Sequence, residues 1–249
     1  MDFEFFVARM SLLTHRDIRF PAFGAANLIR GQFGRTLFEK QYALFERLFA
    51  PPRRSEGPSG LADPPRAYVL RTSQLDGKSF PAGTPLEFTV HVFDLKLAAA
   101  FAEFPMEQFR LSLLPSRSVQ RVRVDFLSPT ELKNAEQPEF GPLFARLRDR
   151  VSTLRALYGT GALEIDFSGM AARAAGVRLL DCQISHVDRS RSSRRTGQAH
   201  PLGGFVGSAV YEGELGEFLP YLEAGSWTGV GRQTVWGKGE IRISVLGDG

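Results

Sequence analysis

One order of elements occurs twice in the apolar pattern of this chain, and this repeat constrains its fold more than any other feature. The predicted elements of the first pass are a strand at 3–13, a helix from Gly24, strands at 67–72 and 86–95, and a short helix at 98–109. The first helix is predicted because apolar residues from Leu28 to Leu37 recur at three- and four-residue spacing, which places them on one face.

The second pass repeats this order and ends with a further strand. Its predicted elements are a strand at 119–127, a helix at 142–158, strands at 163–167, 177–187 and 205–211, a short helix at 217–222 and a closing strand at 240–246. Strand–helix–strand–strand–helix–strand is the order of a ferredoxin-like unit. We therefore predict an α+β protein of two tandem ferredoxin-like (RRM-like) domains, residues 1–117 and 118–249. Residues 109–114 are the one candidate for the closing strand of the first domain.

The basic residues of the chain are mostly arginines. Of 31 lysines and arginines 26 are arginine, and the net charge is +4. The planar guanidinium suits phosphate and base edges and stacks on aromatic rings, and the alternative explanation of the arginine excess is codon bias in a GC-rich genome. Four of these arginines are predicted on the polar face of the 142–158 helix: Arg146, Arg148, Arg150 and Arg155.

The termini and the single cysteine bear on the compartment. No apolar run approaches the ~20 residues of a membrane span, and acids stand near Met1 where a secretory signal would have bases. Cys182 alone cannot form an intrachain disulfide. We expect a cytoplasmic protein that is not associated with a membrane.

Residues 225–239, GSWTGVGRQTVWGKG, form a glycine-rich segment just before the last strand. A P-loop is excluded because the order Gly-x4-Gly-Lys-Ser/Thr is absent. Glycines let a backbone approach another molecule closely, and Arg232 and Lys238 make an anion the expected molecule. We predict an RNA-binding loop whose glycines are Gly229, Gly231, Gly237 and Gly239. The alternative is a set of tight turns between a helix and an edge strand.

A second basic segment is rich in arginine. Arg189, Arg191, Arg194 and Arg195 lie within seven residues, where like charges repel until a polyanion neutralises them. This predicts a phosphate-binding hairpin, and the alternative is a solvated surface hairpin.

The four histidines lack metal-ligand spacing, so no metal site or cofactor is expected. His91 alternates with valines and is predicted to lie in a strand. His15 is the candidate for catalysis, because it lies beside Arg16 in the loop between the first strand and the first helix, and catalytic groups concentrate on such loops. The alternative is an ordinary surface histidine.

Several motifs resemble those of a known family. Residues 23–34, FGAANLIRGQFG, which contain Arg30, resemble the opening G-x-x-x-x-R-G-x-F-G of the CRISPR pre-crRNA-processing endoribonucleases of the RAMP superfamily, the Cas six family. Residues 191–197 and 201–207 are similar to the family's approach to its last domain. Residues 225–239, followed by a strand, are similar to its C-terminal glycine loop.

The resemblance implies a function and roles for particular residues. It implies two ferredoxin-like domains that bind CRISPR repeat RNA (pre-crRNA), and metal-free cleavage in which the 2′-hydroxyl attacks the adjacent phosphate and leaves a 2′,3′-cyclic end. His15 would then be the general base or acid, and Tyr42 would orient it or the 2′-hydroxyl. Lys40 or Arg16 would stabilise the transition state, and Arg30 would join the RNA-binding residues.

Two rival functions stay open at this point. A RAMP subunit that holds crRNA in an effector complex without cutting it would share these motifs, and other Cas proteins would then be its partners. An enzyme acting on a small anion or nucleotide would need a motif that the sequence does not contain. The sequence leaves the oligomeric state open, including a homodimer.

Overall fold

The structure is a computed structural model that describes residues 1–51, 65–115, 117–132, 136–188, 190–192 and 199–247. The helices are α1 (Ala25–Lys40), α2 (Tyr42–Phe49), α3 (Phe140–Tyr158), α4 (Phe167–Ala175) and α5 (Leu219–Thr228). Short 3₁₀ helices span Ser73–Leu75, Leu95–Phe101 and Thr234–Trp236. The strands are β1 (Asp2–Leu13), β2 (Ile18–Arg19), β3 (Tyr68–Arg71), β4 (Ser79–Phe80), β5 (Pro85–Val92), β6 (Met106–Ser112), β7 (Arg121–Thr130), β8 (Arg178–Val187), β9 (Ser190–Ser192), β10 (Ala199–Pro201), β11 (Gly204–Glu212) and β12 (Ile241–Leu246).

Two four-stranded antiparallel sheets share one strand order. The first is ordered β3-β5-β1-β6 and the second β12-β7-β11-β8. If the four strands of each unit are counted along the chain, both sheets follow the order 2-3-1-4 from one edge, which is the arrangement of a ferredoxin-like unit. The predicted fold class is therefore confirmed. The first sheet ends at Ser112 and the second begins at Arg121, and the domain boundary proposed between residues 117 and 118 lies in this connection.

The elements stack in four layers. Phe6, Ala8 and Met10 of β1 belong to a core shared with α1 and α2, whereas Phe3 and Phe5, on the other face of the same strand, belong to a core shared with α3 and α5. The first sheet is thus buried on both faces, as the alternation of side chains along a strand allows. The second sheet packs one face on α3 and α5 and exposes the other.

The structure corrects several predicted elements. Residues 163–167 are not a strand, because α4 begins at Phe167 with Asp166 as its N-cap, whose side chain accepts the Gly169 N–H at 2.9 Å. The predicted helix at 98–109 is a 3₁₀ helix over Leu95–Phe101, and Pro105 precedes β6, the closing strand expected at 109–114. Leu28 is 45% exposed and lies off the buried face of α1.

The last helix is longer than predicted and takes in the start of the glycine-rich segment. α5 ends at Thr228, so Gly225 and Trp227 are helical. Gly225 is buried in α5, and a Cβ there would collide with the side chain of Leu147 on α3. Close helix packing therefore explains this glycine. None of the described helices is long and apolar enough to cross a membrane.

Candidate nucleic-acid interface

The glycine-rich loop, residues 229–240, is folded against its own protein. Gly229, Gly231, Gly237 and Gly239 all have positive φ, between 72° and 81°. A Cβ at Gly239 would collide with the Val230 carbonyl, and one at Gly231 with the Glu131 carbonyl. What approaches these two glycines is backbone of the same chain. The packing of the chain against itself thus explains why glycine is needed at these positions. A role of these glycines in RNA binding stays a prediction.

The two cations of the loop converge on one carboxylate. Lys238 is 2% exposed, and its Nζ lies 2.9 Å from Oε2 of Glu131, while Arg232 reaches Oε1 of the same residue at 3.1 Å. Partial burial opposes ionisation of Glu131, but the hydrogen bonds and charges of Lys238 and Arg232 outweigh it and lower its pKa. Lys238 is therefore an internal ion-pair partner in this conformation, and its expected role as a phosphate ligand stays a prediction. The Arg232 side chain is 70% exposed and keeps donors for a further anion.

Arg30 lies in a seam between the loop and the first helices. Its guanidinium carbon is 5.0 Å from the ring centroid of Phe49 and 5.7 Å from that of Trp236. A Cβ on Gly237 would collide with the Cβ of Ala26, so the loop rests directly on α1. Cation–π contact with both rings joins the two domains at this point.

An aromatic ladder leads from this seam to the surface. Phe49 stacks on Phe45 with ring centroids 5.4 Å apart, and Phe45 lies 6.1 Å from Tyr42 and 5.2 Å from Phe38. Phe38 and Tyr42 are 55% and 58% exposed at the corner between α1 and α2, beside Lys40. Exposed rings beside a cation can stack unpaired bases.

His15 lies in a different part of the first domain. It is exposed, as is Arg16, and the loop that carries them is tied to the turn before β5, where the Thr14 hydroxyl donates to the Pro81 carbonyl at 2.8 Å. α1 begins after this loop and ends at Lys40, 16 residues or about 24 Å later. The structure therefore does not bring His15 together with Lys40 and Tyr42 around one phosphate, because the length of α1 separates the loop from the corner.

The arginine hairpin falls largely outside the described residues. Arg189, Arg194 and Arg195 lie outside them, and Arg191 is described only as part of β9, which pairs with β10. Their phosphate-binding role stays a prediction.

A junction between the domains, which the sequence did not predict, surrounds the end of α5. Trp227 packs on Phe109 and Phe5 of the first sheet, with ring centroids 4.8 Å and 5.1 Å away. Arg71 Nη2 donates to the carbonyls of Ser226 and Trp227, both at 3.0 Å. The last carbonyls of a helix lack partners within it and carry partial negative charge, so a cation satisfies them well.

Two further side chains complete this junction. Arg150 of α3 donates from Nε to the Thr228 carbonyl at 3.0 Å, and His91 Nδ1 lies 3.0 Å from the Trp227 carbonyl. Burial lowers the pKa of Arg150 to about 9 and, with the nearby Arg71 charge, the pKa of His91 to about 3. His91 is therefore neutral at physiological pH and donates through Nδ1.

The expected polar face of α3 is thus partly internal. Arg148 and Arg155 are each less than 10% exposed, and Arg150 reaches α5. The arginines of α3 were the one sequence signal for this junction. Their spacing along the helix does not tell a buried guanidinium from a solvated one.

Comparisons with known proteins agree with this fold. A model of the family described as CRISPR-associated endoribonuclease Cas6 matches residues 124–241. Thermus thermophilus Cas6 (TTHB231) is 15% identical, with a TM-score of 0.60, over 98% of this chain and 99% of that chain. The Cas6 (TTHA0078) product complex is 16% identical, with a TM-score of 0.58, over 96% of this chain and 99% of that chain. A partial Cas6-RT-Cas1–Cas2 complex is 10% identical, with a TM-score of 0.57, over 98% of this chain and 46% of that chain. No curated protein sequence matches. The resemblance indicated by the sequence motifs is confirmed.

Proposed function

We propose that this chain, whose second half matches the Cas6 family model, binds CRISPR repeat RNA and cleaves pre-crRNA. The observation that carries the proposal is that the matched residues, 124–241, include most of the second sheet together with the whole glycine-rich loop. That loop rests on α1 next to Arg30, so the two motifs that suggested the family from sequence are neighbours in space. Relatives of the same fold are described as product and substrate-mimic complexes.

The proposed reaction is an attack of the RNA 2′-hydroxyl on the adjacent phosphate, which leaves a 2′,3′-cyclic phosphate and a free 5′-hydroxyl. It needs a base for the 2′-hydroxyl proton, an acid for the leaving 5′-oxygen, and cations around the five-coordinate phosphorus. A metal ion is not required when side chains fill these roles.

Two places on the surface could supply these side chains. His15 with Arg16 offers an imidazole, the side chain that most often serves as general acid or general base, beside a cation. Lys40 with Tyr42 offers a cation and a hydroxyl at the exposed corner, next to the aromatic ladder that leads to Arg30. Since α1 separates the two places, they are alternatives, and we propose His15 as the catalytic histidine.

Cleavage of a labelled repeat RNA in EDTA tests the function, and the ends of the products test the chemistry. If His15 acts on protons, His15→Ala should slow single-turnover cleavage by roughly 100- to 10,000-fold while RNA binding holds. His186→Ala is the matched control, because that histidine is exposed on β8. Parental cleavage by His15→Ala with slow cleavage by Tyr42→Phe or Lys40→Ala would move the active site to the corner.

The second candidate function is a crRNA-binding subunit that does not cut. The pairing of Lys238 and Arg232 with Glu131 favours it, because that pairing leaves fewer free cations around the loop than the sequence indicated. Tight repeat binding with no cleavage by the parent protein in EDTA or in magnesium would establish it. The proposal also includes a cytoplasmic location, a homodimer, and further Cas proteins as partners.

A further inference from the structure

A cleft opens beside the domain junction, at the margin of the first sheet. Its volume is about 450 Å³, within the range of small-ligand pockets, about 300–1,000 Å³. The residues that line it are Val7, Arg9, Thr89, His91, Pro105, Met106, Glu107, Phe109 and Trp227. Most of them come from β1, β5 and β6, and Trp227 comes from α5 of the second domain.

The strand register explains why these side chains share one face. Arg9 lies opposite Thr89, and Val7 lies opposite both His91 and Glu107. Paired residues of antiparallel strands project to the same side, which here is the side facing the second domain. The cleft is therefore the part of this face that α5 leaves uncovered.

The rim of the cleft carries one cation and one anion that do not satisfy each other. Arg9 and Glu107 are both exposed, and neither forms an ion pair or side-chain hydrogen bond with a described residue. They stand on adjacent strands, two positions apart along the face, because Arg9 follows Val7 by two residues and Val7 is the partner of Glu107. A ligand between them would meet a five-donor fork at one end and an acceptor pair at the other.

The wall and floor add a flat apolar surface and a fixed hydroxyl. Phe109 and Trp227 are half-buried, so part of each ring faces the cleft. The neutral His91 ring donates through Nδ1 to the Trp227 carbonyl, which leaves Nε2 to accept from the Thr89 hydroxyl at 3.2 Å. The Thr89 hydroxyl, which also lines the cleft, therefore keeps its oxygen as a hydrogen-bond acceptor.

We infer that this cleft binds a single guanine base through Glu107, Arg9 and the Phe109–Trp227 wall. The Watson–Crick edge of guanine places two donors, N1–H and the 2-amino group, beside the acceptor O6. Glu107 can accept from both donors while Arg9 donates to O6, and the aromatic wall can contact the face of the base. Adenine has no donor at N1 and carries a donor where guanine carries O6, so it would meet Arg9 with the wrong polarity.

The inference rests on the proposed RNA binding, and it adds a base preference to it. An unpaired guanosine of an RNA strand and a free guanine nucleotide share this chemistry. The test therefore needs both kinds of ligand, and it does not depend on cleavage.

Binding of labelled single-stranded pentamers by fluorescence anisotropy provides the test. The parent protein should bind UUGUU about tenfold more tightly than UUAUU, with the inosine pentamer between them because inosine lacks the 2-amino donor. Glu107→Gln should remove this preference, because an amide has one acceptor where the carboxylate has two. Glu164→Gln, the same change at an exposed site outside the cleft, should keep it.

The outcomes separate this inference from the proposed function. Equal binding of the guanine and adenine pentamers, or a preference that survives Glu107→Gln, would overturn the guanine pocket even if the protein cleaves repeat RNA. A preference lost only in Glu107→Gln supports the pocket even if the protein never cuts. Competition by free GMP at concentrations that match the pentamer would identify a nucleotide site, and competition by the pentamer alone would identify an RNA site.

Discussion

The two sheets have the same strand order, but they differ in what covers their second face. On the first, the face away from α1 and α2 carries Phe5 and Phe109, and it receives Trp227 from the second domain. On the second, the face away from α3 and α5 carries charges that pair with one another, including Arg123 with Asp125 at 2.7 Å. One sheet is an internal layer of the protein and the other is an outer layer.

This difference shows that topology does not decide which face of a sheet is buried. Apolar rings on the second face of a sheet lower the free energy of the folded state when another layer covers them. Paired charges have their lowest free energy when they stay in contact with water. It also explains the position of the cleft, which lies where the covering layer ends and half-buried rings meet free charged groups.

The largest test of the comparison removes the ring that covers the first sheet. Trp227→Ala should lower the free energy of unfolding by about 3 kcal/mol. The substitution removes the ring that contacts Phe5 and Phe109, and its loss leaves a cavity between the domains. Arg123→Ala on the open face of the second sheet should change it by less than about 0.5 kcal/mol. Urea denaturation of the two variants measures both. Similar losses would mean that the two faces are energetically alike.

A second test uses the pH dependence of the junction. Burial in the folded protein lowers the pKa of His91 to about 3, against an ordinary value of about 6.5. Between these two pH values, His91 is protonated in the unfolded chain and neutral in the folded chain. The contribution of His91 to the free energy of unfolding should therefore fall by up to about 1.4 kcal/mol per pH unit as the pH drops below 6.5, and it should be constant well above that value.

The variant His91→Gln should lose this slope between pH 6.5 and 5, where few carboxylates titrate. His15→Gln changes an exposed histidine and should keep it. Parallel profiles for His91→Gln and the parent would show that His91 is not the group that resists protonation.

A smaller effect is expected where the glycine-rich loop meets α1. Gly237→Ala should cost about 2 kcal/mol, because φ is +80° there and the new Cβ would collide with Ala26. Gly31→Ala, on the helix against which Gly237 packs, is the opposite case, since nothing lies within 4 Å of a Cβ there and alanine favours the helix by about 0.5–1 kcal/mol. Thermal denaturation should move the two melting temperatures in opposite directions, and equal shifts would contradict the docked loop.

Much of the fold followed from local pattern. Apolar composition placed β1, alternation of apolar and polar residues placed β5, β7 and β12, and helical spacing placed α1 and α3, because these patterns record which faces are buried. Residues 163–167 were mistaken for a strand because a short apolar run has no period of its own, and the Asp166 cap decided for a helix.

The candidate site was less accessible from sequence. Glycine density did mark residues 225–239 as a place of close approach, but the approaching groups include the Val230 and Glu131 carbonyls of the same chain. Lys238 could not be recognised as buried, because its carboxylate partner lies 107 residues away in sequence.

By itself, the sequence determined two ferredoxin-like units, an arginine-rich composition and a family resemblance, since each depends on residue type and short spacing. Only the tertiary structure decided that Trp227 and Arg71 join the domains and that α1 separates His15 from Tyr42. It also decided that Arg9 and Glu107 share one cleft. These relations depend on long-range packing, in which residues distant along the chain meet because their apolar faces are buried together.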